Sequence, residues 1–520
     1  MTDVFSVRNL RRPLAAYALL ALMLWTVPLL SRLHVESAAI IAAGAYFIAG
    51  LSALARFREG EDFGRVLLEQ QLCLLAPWAL LTVTLLWAPN CGYVQGLLFF
   101  ALFPVVTVVF AVSLAYLVSA LLLRRGRWWF VGVGLAVMAL GPLYDLGLHP
   151  QFYTYNHVFG GVLGPIYDDE LAVRTGLFVF RGLTLLWAAL FVIAGKRIRM
   201  LNAGEKSRFS LFPVAFSLTA LLIGLCYLFG ARLGINTPTW HVQEQLGGRF
   251  RTEHFDIYYA PESTSGEDLR RLARRHEFQY DRLRRILNIA PEERIRSYLY
   301  PSPDVKGQLT GARRTSVAPV WLDVPQVHML REAAEGSLGH ELAHVFSRSF
   351  GMPVLRASAS VGLVEGLAVA LEPPSGPPSP SEQVAASALS ESGPVERNLA
   401  REVAARMQPL GFWTGRGAVS YAATGSFVRY LLDAHGPAPL RRAYAWGDFH
   451  EAYGKPAGEL AEAWARSVFA QPVVSWASGP TARERFSVPS LFEEHCPHHV
   501  PSYRQAHREA RDALDDEDTT

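Results

Sequence analysis

Seven apolar stretches, near residues 13–31, 37–55, 72–89, 96–123, 128–148, 174–195 and 211–231, fill the first 235 positions of this 520-residue chain. Each is long enough to cross a hydrocarbon core about 30 Å thick, which takes roughly 20 residues of helix. Lipid offers no hydrogen-bond partner to a backbone, so such stretches must close their bonds internally as helices. The fold class expected for residues 1–235 is therefore an all-α transmembrane region of seven helices. Composition agrees: 51% of the residues are hydrophobic, 18% are charged and the mean hydropathy is +0.17, too apolar for an ordinary soluble protein of this length. The fourth stretch exceeds one crossing and has room to tilt. No small-x-small cleavage pattern follows the first, so it reads as a span and not as a removable signal.

The loops between the stretches carry an orientation. Arg8, Arg11 and Arg12 precede the first, Arg56, Arg58 and Arg65 separate the second and third, and Arg124, Arg125 and Arg127 separate the fourth and fifth. Lys196, Arg197, Arg199, Lys206 and Arg208 separate the sixth and seventh, whereas the alternate loops hold only Arg32 and, at a boundary, Arg174. The positive-inside rule then places the N-terminus in the cytoplasm, and seven crossings place residues 236–520 on the other side of a cell (inner) membrane. Ionisable residues are few within the spans, Arg181 and Asp145 being the notable ones, which favours an anchor over a solute pathway. The outer loop 144–174 holds His149, Tyr153, Tyr155, His157, Asp168, Asp169 and Glu170. It reads as an interfacial aromatic belt with a solvated acidic turn; a docking lip or lid is the competing reading. Cys73 and Cys226 fall within spans, while Cys91 and Cys496 lie on the outer side and either pair or stand free.

Chemistry enters at His340-Glu341-Leu342-Ala343-His344. Two histidines four residues apart on a helix share one face, and both rings can point a nitrogen at a single Zn²⁺. Glu341 stands where a carboxylate can take a proton from a metal-activated water. With 15 histidines in the chain, residue frequencies supply this pattern by chance on the order of 0.02 times. A hydrolytic zinc site needs a third protein ligand and an open position. Glu365, in Val361-Gly362-Leu363-Val364-Glu365-Gly366-Leu367-Ala368, follows after one loop at the start of an apolar helical run.

In these residues the chain resembles the gluzincin class of zinc metallopeptidases, the thermolysin-like and aminopeptidase-like enzymes, and within it the bacterial peptidase MA-like group. The likeness covers residues 250–470 and extends to Thr252–Tyr259 and to the stretch from Tyr421 to Gly436. It implies an α+β zincin-like domain with a helical C-terminal lobe. It also implies one Zn²⁺ held by His340, His344 and Glu365, with Glu341 as general base. Relatives carry an oxyanion donor in the second lobe, and Tyr421 is the candidate here, with Tyr430 and His435 as rivals; a core aromatic is the plainer reading of Tyr421. One departure stands out. Thermolysin-like enzymes place an aspartate four residues after the third ligand to orient a ligand histidine, and Val369 occupies that position. Glu372 lies seven residues on, on the same helix face, and is the candidate substitute.

The remaining organisation follows from pattern. Strands are expected over 254–259 and 294–300, a surface helix over 265–287, an edge strand within 316–330 and the active helix over 332–349. In gluzincins an edge strand above the zinc helix holds the substrate backbone by strand addition, which the resemblance implies here; a simple irregular connection is the alternative, given Pro319 and Pro325. Charged residues at both ends of the active helix, Arg331, Glu332, Glu335 and Arg348, argue against a zinc helix buried in lipid, and the spans do not bracket the motif as they do in CAAX-type proteases. The domains expected are 236–372 for the N-terminal lobe, 373–395 for a Pro/Ser-rich hinge, 396–475 for the helical lobe and 476–520 for a partly disordered tail. Glu493–His499 could bind a second metal, but it reads more simply as part of the solvated tail. The partners expected are a peptide or protein substrate and the bilayer. A net charge of +3 with the basic residues beside the spans, and no phosphate-binding glycine loop, argue against nucleic acid. The functional expectation is an extracytoplasmic, membrane-anchored zinc metallopeptidase. The alternative is a non-catalytic scaffold or sensor that binds peptide through a peptidase-like domain. Oligomeric state is not legible.

Overall fold

The structure, a computed structural model, describes residues 7–470 except 88–89, 91, 123–124, 166–167, 169, 172, 205–210, 373–378, 389–394 and 415–416, together with 498, 500, 502, 505, 506 and 510. Cys91, Cys496 and Asp169 lie outside the described residues. The chain divides into two compact units, one of residues 1–241, 308–313 and 495–520, the other of 242–307 and 314–494.

Among the described residues of the first unit, five helices are long and apolar enough to cross a membrane: α2 (Val35–Arg58), α3 (Phe63–Leu86), α4 (Tyr93–Leu121), α5 (Gly126–Leu148) and α6 (Thr175–Asn202). They are preceded by α1 (Val7–Leu24) and followed by α7 (Phe212–Leu228). The first and last of the seven expected stretches are thus shorter as helices than as apolar runs. The helix α1 begins among arginines and stops at Leu24, because Pro28 opens a separate turn over Pro28–Leu30. The helix α7 has 17 residues.

Between α5 and α6 the chain forms a small antiparallel hairpin, β1 (Thr154–Asn156) with β2 (Gly160–Val162). This differs from the aromatic belt expected there. Tyr153 and Tyr155 are buried, and the Arg174 guanidinium lies 3.0 Å above the Tyr153 ring while its Nε donates to the Tyr155 hydroxyl at 3.1 Å. The reason is Arg181, a fully buried side chain on α6 that organises three segments. Its guanidinium donates to the Leu102 carbonyl at 2.6 Å, the Asn156 carbonyl at 2.9 Å, the Phe103 carbonyl at 3.3 Å and the Thr107 hydroxyl at 3.0 Å. Leu102 and Phe103 belong to a π-helical turn, Ala101–Val105, that contains Pro104. A π turn and a proline both free carbonyls from the helical ladder, and inside a membrane protein those groups must be satisfied by another part of the chain.

The spans also bury more charge than their composition announces. Glu69 of α3 is fully buried and meets Arg56 at 2.6 Å and Arg65 at 3.1 Å. At the hairpin end, the Phe152 amide donates to the Thr310 carbonyl at 2.7 Å, and Arg313 meets Glu170 at 3.0 Å. The expectation of a solvated 493–499 tail fails at the one described position within it. His498 is buried, 2.9 Å from Glu36 and 3.0 Å from the Asp168 carbonyl. A buried imidazole with a carboxylate on one nitrogen and a carbonyl on the other is a packed group.

The second unit opens with a four-stranded sheet in the order β3 (Gly248–Arg251), β4 (Phe255–Tyr259), β5 (Ile295–Tyr300) and β6 (Gln326–Leu330). The pair β3 and β4 is antiparallel; β4, β5 and β6 run parallel. The surface helix α8 (Gly266–Leu287) connects β4 to β5, started by the Ser265 side chain and stopped by Asn288 in the left-handed conformation. The edge strand expected over 316–330 resolves into β6 and a single antiparallel bridge from Val317 to His328. Pro319 and Pro325 cannot donate to a ladder, so pairing does not extend between them.

Next come α9 (Ala334–Ser347), α10 (Val361–Ala370), α11 (Val395–Arg406), α12 (Gly417–His435), α13 (Pro437–Tyr444) and α14 (Ala457–Phe469). Leu338, Leu342, Val345 and Phe346 of α9 join Phe255, Ile257 and Leu299 of the sheet in one core with Leu363, Leu367, Phe427 and Trp464. The hinge expected over 373–395 is interrupted by a helix, Pro380–Ala388. Ser379 and Glu382 form a reciprocal cap at its start, with bonds of 2.6 and 3.3 Å, and Val384 is buried.

Replacing Arg181 by Met keeps the side-chain length but strands the carbonyls of Leu102, Phe103 and Asn156. The expected loss is about 1–3 kcal/mol, read as a lower midpoint of thermal unfolding in detergent. An unchanged midpoint would show that the hairpin and the π turn do not depend on the guanidinium.

Candidate metal centre

His340 and His344 lie one turn apart on α9, on the face turned toward the start of α10, where Glu365 lies one turn in. The Ser360 side chain starts α10 by accepting from the Leu363 amide at 3.2 Å, which sets the first turn and with it the position of Glu365. The Nε2 atoms of His340 and His344 are 3.5 and 4.0 Å from one Glu365 oxygen. One ligand atom from each of the three residues falls within 4.8 Å of the others. Ligand atoms bound tetrahedrally at about 2.0–2.1 Å sit roughly 3.3 Å apart, so a small contraction would close this set around a divalent ion. The three side chains keep 18, 11 and 19% exposure in chain order, enough for solvent to reach the point they share. Two imidazoles and a carboxylate, partly open to water, make a three-donor set that could hold a divalent ion and leave a fourth position for water.

Further groups complete the surroundings. Glu372, just past the end of α10, accepts from His340 Nδ1 at 2.8 Å. That contact leaves His340 Nε2 facing Glu365, so the carboxylate seven residues after Glu365 fixes tautomer and ring orientation. Tyr421 of α12 donates its hydroxyl to the Glu365 carboxylate and packs edge-on against Phe412 at 5.0 Å. Tyr430 and His435 instead pack near one another and toward Tyr453, roughly 13 and 21 Å farther along α12 at 1.5 Å per residue. Two glycines let Tyr421 come so close. A Cβ on Gly366 would lie 2.9 Å from the Thr424 carbonyl oxygen, and one on Gly425 would lie 2.2 Å from Val369 Cγ1. The helices α10 and α12 therefore cross at backbone distance, with Glu365 and Tyr421 one residue and one turn from the crossing. Val369, standing where an orienting aspartate was expected, fills this crossing instead.

The electrostatics follow from burial and from these contacts. Burial works to lower the His340 pKa, but the Glu365 and Glu372 carboxylates outweigh it and hold the ring's proton up to about 10. Burial lowers His344 to about 4 against the pull of Glu365, so that ring is neutral near pH 7. Burial alone would raise Glu365, yet His340, His344 and the Tyr421 hydroxyl keep it below the usual carboxylate range. Glu341 is buried beside the set and is pushed up to about 7, chiefly by burial; His340 and Lys306 oppose the rise, and Glu365 and Glu372 add to it. Lys306 was not legible from sequence. It is fully buried, donates to the Thr315 carbonyl at 2.5 Å, and lies in a segment with no motif around it.

Comparison of the sequence with protein families and with curated proteins finds no match. The reading of the site rests on its geometry.

The neighbouring carboxylates keep His340 protonated at neutral pH, and a divalent cation would have to displace that proton to reach Nε2. Affinity for a divalent cation is therefore expected to rise with pH up to about 10, with roughly one proton released per ion near pH 7.5. Calorimetry in buffers of different ionisation enthalpy measures this number, and zero release would contradict the assignment. Glu372→Gln should lower the His340 pKa and weaken cation retention about 10–100-fold.

Proposed function

We propose that this protein is a membrane-anchored zinc metallopeptidase with a zincin-like catalytic unit, hydrolysing peptide bonds on the extracytoplasmic side. The observation that carries the reading is the convergence of His340, His344 and Glu365 within 4.8 Å, with Glu341 buried beside them. A zinc ion held by those three residues would supply Lewis acidity toward a peptide carbonyl and would lower the pKa of water. Glu341 takes the water proton on its carboxylate and later delivers it to the departing amide nitrogen. Its ordinary pKa would make it a weak base, and the rise to about 7 suits both halves of that task. Glu372 holds His340 in the tautomer that leaves Nε2 free. The Tyr421 hydroxyl, already at the site, is the donor nearest to an oxyanion forming there.

Glu341→Gln is expected to reduce peptide hydrolysis to background while bound zinc stays stoichiometric. His344→Ala is expected to lose the metal as well. Full activity in Glu341→Gln would exclude this mechanism. Zinc bound at full occupancy with no turnover of any peptide would favour a binding or sensing role.

The side of the membrane depends on whether α1 and α7 cross. The helix α7 spans about 25 Å at 1.5 Å per residue, close to the thinner bilayers at about 27 Å. Supporting a common basic face, Arg58 donates to the Leu122 carbonyl at 3.3 Å and Arg199 to the Ser119 hydroxyl at 2.5 Å, which brings the ends of α2, α4 and α6 together. With α1 and α7 crossing, there are seven spans, the N-terminus is cytoplasmic and the catalytic unit is outside. Alkaline phosphatase fused after residue 235 should be active and after residue 203 inactive; the reverse pattern would place catalysis in the cytoplasm.

A further inference from the structure

On the flank of the first unit, α6 and α7 enclose a cavity of about 330 Å³ lined by Ile193, Ala194, Ile198, Phe212 and Phe216, with Arg197 among them. Pro213 and Ser217 complete its wall. The volume is at the small end of the roughly 300–1,000 Å³ typical of small-molecule sites. Its lining is apolar except at Ser217 and Arg197, and Arg197 is half-buried with no hydrogen bond or ion pair among the described residues. Its neighbour Arg199 is engaged, with its guanidinium 4.5 Å from the Tyr116 ring centre and bonded to Ser119. The cavity spans the last turns of a membrane-length helix and the first turns of an apolar one. That is the depth at which a phospholipid changes from headgroup to acyl chain.

We propose that this crevice is a binding site for one anionic phospholipid, its first acyl segment lying between Ile193, Ile198 and Phe216 and its phosphate meeting Arg197. The inference rests on α6 and α7 lying in a bilayer and is independent of the peptidase reading. An acyl chain covers an apolar wall that would otherwise face disordered lipid. A guanidinium with no carboxylate partner among the described residues favours phosphate, to which it can present two parallel donors. Exposed Lys196 adds a second positive charge at the same helix end. The charge complement selects an anionic headgroup over a zwitterionic one.

The test uses the full-length chain purified in mild detergent and native mass spectrometry with equal amounts of a phosphatidylglycerol and a phosphatidylcholine. The wild type should retain one phosphatidylglycerol in preference. Arg197→Gln should reduce that preference about fivefold, the factor that one basic side chain at a membrane surface contributes. Arg197→Lys should keep most of it. Ala194→Phe, which fills the crevice, should lose both lipids, with thermal unfolding in lipid-free detergent confirming that the variant is folded. Equal retention of the two lipids by the wild type would mean annular lipid only and would overturn the proposal, as would an undiminished preference in Arg197→Gln. Inorganic phosphate that stabilises the protein as well as phosphatidylglycerol does would overturn the lipid assignment.

Discussion

The carboxylates of Glu365 and Glu372 hold the His340 ring from two sides, at 3.5 and 2.8 Å. Most of the candidate site follows from that grip. An imidazole so placed has one nitrogen committed to orientation and the other turned toward Glu365 and His344. Its charge is tolerated in a crowded place because two anions lie in contact with it. Glu341, one residue away and without such a contact, bears the opposite consequence, and its proton affinity climbs. Two carboxylates on neighbouring elements are thus driven apart in character by their surroundings alone.

The membrane-type unit answers the same requirement with different chemistry. Arg181 has no carboxylate; its partners are carbonyl oxygens that a π turn and a proline have released. Glu69 is matched by Arg56 and Arg65. Arg181 joins segments far apart in sequence and Glu69 ties α3 to the end of α2, so these charges act as fasteners of the bundle.

Much of this was legible from residue order, and the reasons for the rest are physical. A four-residue spacing of histidines forces a shared helix face, so His340 and His344 were readable together. Glu365 and Glu372 share a face of α10 and its end, which made Glu372 a candidate before any coordinates. Tyr421 was readable only as a neighbourhood, because its direction depends on how closely α10 and α12 approach. The glycines that permit this approach, Gly366 and Gly425, carry no sign of each other in a linear string. Lys306 and His498 were invisible or misread because their roles depend on partners distant in sequence. Hydropathy found the apolar runs but not where Pro28 would end a helix. A π turn leaves no periodic trace, so in the linear string the buried Tyr153 and Tyr155 look the same as an interfacial belt.

The path of the backbone has a practical consequence. Residues 308–313 belong with the first unit, where Thr310 takes a hydrogen bond from Phe152 and Arg313 pairs with Glu170. They interrupt the span that makes up the second unit, between its strands β5 and β6. A truncated protein beginning near residue 242 would carry this six-residue excursion without its Phe152 and Glu170 neighbours. Producing the second unit alone thus calls for redesigning an internal loop as well as choosing a start point.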